Sequence, residues 1–163
     1  MEYVPALARW IHFLAGVMWL GLLFYFNFVQ IQALKAAQAD GTAAGIQKHV
    51  APLALLWFRW AAVVTWLAGA ALLGRDFVSA FTLSKSHLAI GIGAWLGTIM
   101  LVNVWALIWP KQKIILGMVP ATDDEKSRAR RTAFLVSRVN LMLSIPMLFF
   151  MAAGGHSALY LGH

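Results

Sequence analysis

Four uninterrupted apolar stretches, roughly residues 5–35, 52–74, 86–110 and 132–155, constrain this chain more than any other feature. Each reaches the length of about 20 residues that an α-helix needs to cross the hydrocarbon of a bilayer. In lipid every backbone N–H and C=O must be paired within the structure, which leaves helices or a closed barrel. Barrel strands alternate apolar and polar residues, whereas these runs are continuous, so helices are expected. The intervening connections are short, and short connections force neighbouring helices antiparallel. The expected architecture is therefore an all-α, up-down four-helix transmembrane bundle forming a single domain over residues 1–163. Composition agrees, with hydrophobic residues at 61% and charged residues at 12% of the chain. A soluble domain of this size carries about twice that charge.

Charge then orients the bundle. The formal net charge is +7, with thirteen basic residues against six acidic ones. Lys35 and Lys48 flank the first connection, and Lys111, Lys113, Lys126, Arg128, Arg130 and Arg131 flank the third. The opposite end carries Arg9, Arg75 and Lys85. This asymmetry is a positive-inside signature: it predicts a multi-pass membrane protein whose first and third connections face the cytoplasm and whose termini both face outward. The basic segment from Lys111 to Arg131 suits anionic lipid headgroups better than nucleic acid, and no nucleic-acid partner is expected.

The N-terminus has no basic segment and no small-residue cleavage site after a short apolar run, so the first helix is expected to be retained. Cysteine is absent. That excludes disulfides, thiolate metal sites and a Cys-x-x-Cys-His haem attachment within these residues. The six acids, Glu2, Asp40, Asp76, Asp123, Asp124 and Glu125, all fall outside the apolar stretches, which argues against a buried catalytic carboxylate.

Polar residues inside the stretches are the candidates for function, because lipid-embedded ionisable and amide groups are costly to keep. Three helices each carry one histidine and one asparagine: His12 and Asn27, His87 and Asn103, Asn140 and His156. These separations of about 15 or 16 residues span roughly 23 Å at 1.5 Å per residue. With alternating helix directions, the histidines form an outer layer and the asparagines an inner one. Neutral imidazoles at one depth can ligate b-type haem iron, copper or zinc; each can equally be satisfied by a backbone or hydroxyl partner. In helix 1, His12, Gly16, Trp19, Leu23, Asn27 and Gln30 recur at helical spacing and form one stripe facing the bundle. The inner layer adds Arg59 and Arg138 to Asn27, Gln30, Asn103 and Asn140, a cationic, amide-lined set suited to an anionic or carbonyl-bearing ligand. Singly, the amides could serve only as interhelical ties and the arginines could reach to the headgroups. A run of 16 residues turns a straight helix through about 160°, so the His and Asn of helix 3 cannot both face one axis. Pro146 could relax this in helix 4. Methionines and tryptophans in the helices read first as packing, with Trp19 a candidate wall for a planar cofactor.

Ordered motifs run through most of the chain. They are His12-x-x-x-Gly16-x-x-Trp19-x-Gly21, Phe58-Arg59-Trp60, Thr65-Trp66-Leu67-Ala68-Gly69, Gly97-Thr98-Ile99-Met100 with Asn103-Val104, Ile108-Trp109-Pro110-Lys111-Gln112-Lys113, and Ser137-Arg138-Val139-Asn140 through Ser144-Ile145-Pro146 to His156. Together they resemble the membrane domain of bacterial cytochrome c-linked urate oxidases. The resemblance implies a membrane redox protein in which urate is oxidised and electrons pass to a cytochrome c module. The chain is shorter than that domain and carries no cytochrome c domain of its own, so the expected electron acceptor is a separate cytochrome c. The first helix, with its histidine followed by Trp-x-Gly-Leu, is also similar to small membrane protoporphyrinogen oxidases, which implies haem b with His12 as first ligand and His87 or His156 as its partner.

Three functional expectations follow. The first is a haem- or metal-binding oxidoreductase of the urate oxidase type. The second is a protoporphyrinogen oxidase-like haem enzyme. The third is a non-catalytic metal carrier, or an accessory subunit of a respiratory complex, whose polar layers only hold helices together. The lipid-facing surface of four helices leaves room for a homo-oligomer.

Overall fold

The computed structural model describes residues 3 to 155. Four long helices account for nearly all of them: α1 (Val4–Ala39), α2 (Ala43–Phe81), α3 (Lys85–Ile115) and α4 (Asp123–Ala153). Each contains a segment long and apolar enough to cross a membrane, and no strand occurs among the described residues. The helices run beyond the apolar stretches at the lysine-rich end. Ala, Gln and Lys between Lys35 and Lys48 are good helix formers, so α1 continues to Ala39 and the turn to α2 shrinks to a few residues around Gly41. At the start of α4, Thr122 Oγ1 accepts from the Glu125 N–H at 3.3 Å, while Glu125 Oε2 accepts from the Thr122 N–H at 2.7 Å. This reciprocal capping box fixes where the helix begins.

The helices are not uniformly α. Wider π segments interrupt α1 at Tyr25–Gln30, α2 at Ile46–Val50 and α3 at Asn103–Ile108. Two of them directly precede a proline region, Pro52 and Pro110, where the pyrrolidine ring cannot donate and would crowd the carbonyl four residues back. Widening the preceding turn relieves that crowding and re-pairs the freed groups. In α1 no proline follows; there the Asn27 side chain donates to the Leu23 carbonyl at 2.8 Å, taking the acceptor its own backbone N–H would use. Pro146 leaves α4 unbroken. Past Leu73, α2 turns sharply at Gly74, whose φ of +49° a side chain would disfavour, and ends in the short helix Phe77–Phe81. That short helix lies so close to α3 that a Cβ on Gly91 would sit 2.2 Å from the Ala80 carbonyl oxygen.

α1 packs along α2, and α3 along α4, with thinner contact between the two pairs. The core sits where all four meet: Trp19 and Leu23 from α1, Phe58, Ala61 and Ala62 from α2, Met100, Val104 and Ile108 from α3, and Met147 from α4. Large apolar side chains such as Trp57, Leu67, Met142 and Ile145 point outward and are exposed. An apolar exterior of this extent belongs in lipid, where close packing, small residues and side-chain hydrogen bonds hold helices together.

Candidate functional site

Thin contact between the helix pairs leaves a cavity of about 670 Å³ in the half of the bundle away from the lysine-rich end. That volume lies within the range of about 300–1,000 Å³ usual for small-molecule and cofactor sites. Its walls are mostly apolar, including Phe13, Leu20, Trp66, Phe81, Met147 and Met151, and its polar groups are few: Arg9, His12, Thr65 and the Trp19 indole.

His12 is held from α2. Its Nδ1 lies 2.8 Å from the Thr65 carbonyl oxygen. A carbonyl only accepts, so Nδ1 carries the proton and Nε2 keeps its lone pair. The Thr65 hydroxyl is itself spent on the Ala61 carbonyl at 2.7 Å. Gly69, one helical turn beyond Thr65, makes space for the ring: a Cβ there would lie 2.9 Å from His12 Cε1 and 3.1 Å from Nδ1. Gly16 faces α2 at the same level, where a Cβ would meet Thr65 Cγ2 at an ordinary contact distance of 3.7 Å. Trp66 closes the wall with its indole N–H bonded to Thr98 Oγ1 of α3 at 2.8 Å. Trp19 is 3% exposed, and its indole N–H is buried with no hydrogen-bond partner among the described residues.

Of the outer-layer histidines, only His12 lines this cavity among the described residues. His87 caps the start of α3, with Nδ1 2.9 Å from Ser86 Oγ and Nε2 3.6 Å from Asp76 Oδ1. His156 lies outside the described residues. No group of three or more His, Cys, Asp or Glu side chains placed to hold a metal ion occurs among the described residues.

The inner set divides. Asn27 donates to Ser137 Oγ at 2.9 Å as well as to Leu23, tying α1 to α4. Asn140, fully buried, donates to the Met100 carbonyl at 3.0 Å and accepts from Asn103 Nδ2 at 2.8 Å, tying α4 to α3. The Asn27 and Gln30 side-chain oxygens are buried without partners among the described residues. Arg59 instead lies over the Trp109 ring, its Cζ 3.7 Å from the centroid. Arg138 is exposed, with its Cζ 5.2 Å from the Phe134 ring. Neither arginine bonds to the asparagines among the described residues; equal depth in the bundle does not make one pocket of these six. Thr65, Gly69 and Arg9, which build the His12 site, were not among the residues expected from spacing. Thr65 and Gly69 nevertheless fall within the ordered motif of helix 2.

These features define a multi-pass, all-helical membrane protein with a mostly apolar intramembrane cavity served by one oriented imidazole. Residues 75–163, which include α3 and α4, match the family model described as urate oxidase N-terminal. The chain belongs to that family. A search of curated proteins and a search of solved structures returned no match.

Proposed function

We propose that this protein is a redox-active membrane protein of the urate oxidase type that binds haem b in the cavity and works with a separate cytochrome c. The observation carrying this reading is the oriented His12. A ligating histidine characteristically donates its second ring nitrogen to a carbonyl or carboxylate, which fixes the tautomer and aims the free nitrogen. His12 meets that requirement through Thr65, and its lone pair belongs to a residue lining an apolar space of suitable volume. His12 would hold the iron, and Arg9, one turn along the same helix, would pair with a propionate. Bound haem b supplies a one-electron couple. The chain's own contribution is to orient His12 between Thr65 and Gly69, to hold α1 and α2 at the distance that keeps the ring in place, and to exclude water with Trp19, Trp66, Phe81 and the methionines of α4.

Family membership supports urate as the substrate class; the cytochrome acceptor rests on the sequence resemblance. The eight basic residues around the first and third connections support a cytoplasmic location for that end in the bacterial inner membrane, which puts the cavity on the periplasmic side, within reach of a soluble cytochrome c.

The test is a spectrum of the purified protein, oxidised and then dithionite-reduced, with urate-dependent reduction of added cytochrome c as the activity. A Soret band lost in His12→Ala, with the helical content unchanged, is the expected result. A folded, colourless protein would overturn haem binding. Protoporphyrinogen oxidation without urate turnover would replace the substrate assignment.

A further inference from the structure

Arg59 has a chemistry the redox reading does not use. Its guanidinium lies on the Trp109 indole at 3.7 Å, and among the described residues no carboxylate comes within ion-pair distance and no acceptor takes its N–H groups. Three of the four acids at this end are engaged elsewhere: Asp40 with Thr42, Glu125 with Thr122, and Asp123 with Lys126. The contact holds the guanidinium over the ring, and its N–H groups take no acceptor among the described residues. A fixed planar fork of N–H donors is matched by the paired oxygens of a phosphate.

The surroundings select which phosphate. Trp109 leads into Pro110-Lys111-Gln112-Lys113, so the Arg59 guanidinium lies where α3 passes from apolar to basic sequence. Lys113 is four residues beyond Trp109 and shares its helix face. Beside Arg59 on α2, Leu53, Leu56, Trp57, Trp60 and Val64 form an exposed apolar stripe at helical spacing, able to lie against acyl chains. Trp105 anchors the arrangement by donating its indole N–H to the Arg59 carbonyl at 3.3 Å. A cationic fork, a lysine on the same face and an apolar stripe together match a lipid with a net negative headgroup and acyl chains.

We propose that Arg59, held over Trp109 with Lys113 on the same face of α3, binds the phosphodiester of an anionic phospholipid at the lysine-rich end of the bundle. The net positive charge of the site discriminates against zwitterionic headgroups. The site is separate from the His12 cavity, so it stands or falls independently of haem binding.

The experiment is native mass spectrometry of the full chain in detergent supplied with equimolar phosphatidylglycerol and phosphatidylcholine, paired with the thermal shift that each lipid produces. The wild type should retain phosphatidylglycerol preferentially. Arg59→Gln should lower that retention about tenfold, the value of one charge-assisted hydrogen bond. Arg138→Gln, at an exposed arginine that lies over Phe134 rather than Trp109, should leave it unchanged. Where Arg59→Gln does not fold, Arg59→Lys decides: it keeps the charge but loses the fork, and its retention should fall below that of the wild type. Unchanged retention in whichever of these variants folds, or equal retention of the two lipids by the wild type, overturns the proposal. Displacement of the lipid by millimolar inorganic phosphate would reassign the site to a soluble anion and overturn its lipid assignment.

Discussion

Gly69→Ala tests the geometry that orients His12, because two opposing terms can be separated at that position. In a helix, alanine is favoured over glycine by about 0.5–1 kcal/mol, so the substitution should stabilise α2 on backbone grounds. The new methyl would lie 2.9 Å from His12 Cε1, however, and the ring cannot retreat without lengthening its 2.8 Å bond to the Thr65 carbonyl. Losing that bond costs about 0.5–1.5 kcal/mol, and forcing the side chain off its rotamer costs about as much again. Gly21 supplies the reference, since a Cβ there meets nothing within 4 Å. The stability of Gly69→Ala should therefore fall about 1–3 kcal/mol below that of Gly21→Ala, with the shared backbone term cancelling. Reversible unfolding in bicelles measures the difference, and ¹⁵N resonances of labelled histidine report whether Nδ1 has left its carbonyl. Equal stability of the two variants together with an unshifted His12 Nδ1 signal would refute the packing argument.

Two further outcomes follow from the hydrogen bonds. Asn140→Leu keeps the branching and heavy-atom count of the side chain but leaves Asn103 and the Met100 carbonyl without their partner, and it should destabilise the bundle by about 1–2 kcal/mol in the same unfolding assay. A neutral result would mean that the freed groups find other partners. At the α1–α2 turn, the Thr42 hydroxyl and then the Thr42 N–H bond to Asp40 and hold its carboxyl below the ordinary carboxylate value of about 3.9. A depressed carboxyl pKa contributes stability that is complete above the unfolded value and is lost as pH falls through the lower folded one. Amide-exchange protection at Thr42 should therefore decline below about pH 4 in the wild type, whereas Asp40→Asn should show no such step. The same step in both proteins would assign it to another group.

The number and direction of the helices were legible because hydropathy, length and connection length are local properties, as was the concentration of lysine and arginine at one end. Depth was legible too: Asn27, Asn103 and Asn140 do lie in the layer that holds the interhelical ties. What spacing could not supply was rotation. The π segments at Tyr25–Gln30 and Asn103–Ile108 each insert extra residues into a turn and shift the facing of whatever follows. Arg59 and Arg138 look equivalent by depth, yet one lies over Trp109 and the other is exposed near Phe134. His12 and His87 share an end of the bundle, but His87 sits by Asp76 and the serines around it.

By itself the sequence determined an all-helical membrane bundle, its polarity of charge and its urate oxidase resemblance, since each depends on which residues occur and in what order along the chain. Only the tertiary structure decided that His12 is the oriented imidazole of a cavity. Its partner is a backbone carbonyl, which every residue possesses, and the space for its ring comes from a hydrogen atom at Gly69. Neither leaves a side-chain signature; both depend on how closely α1 and α2 approach.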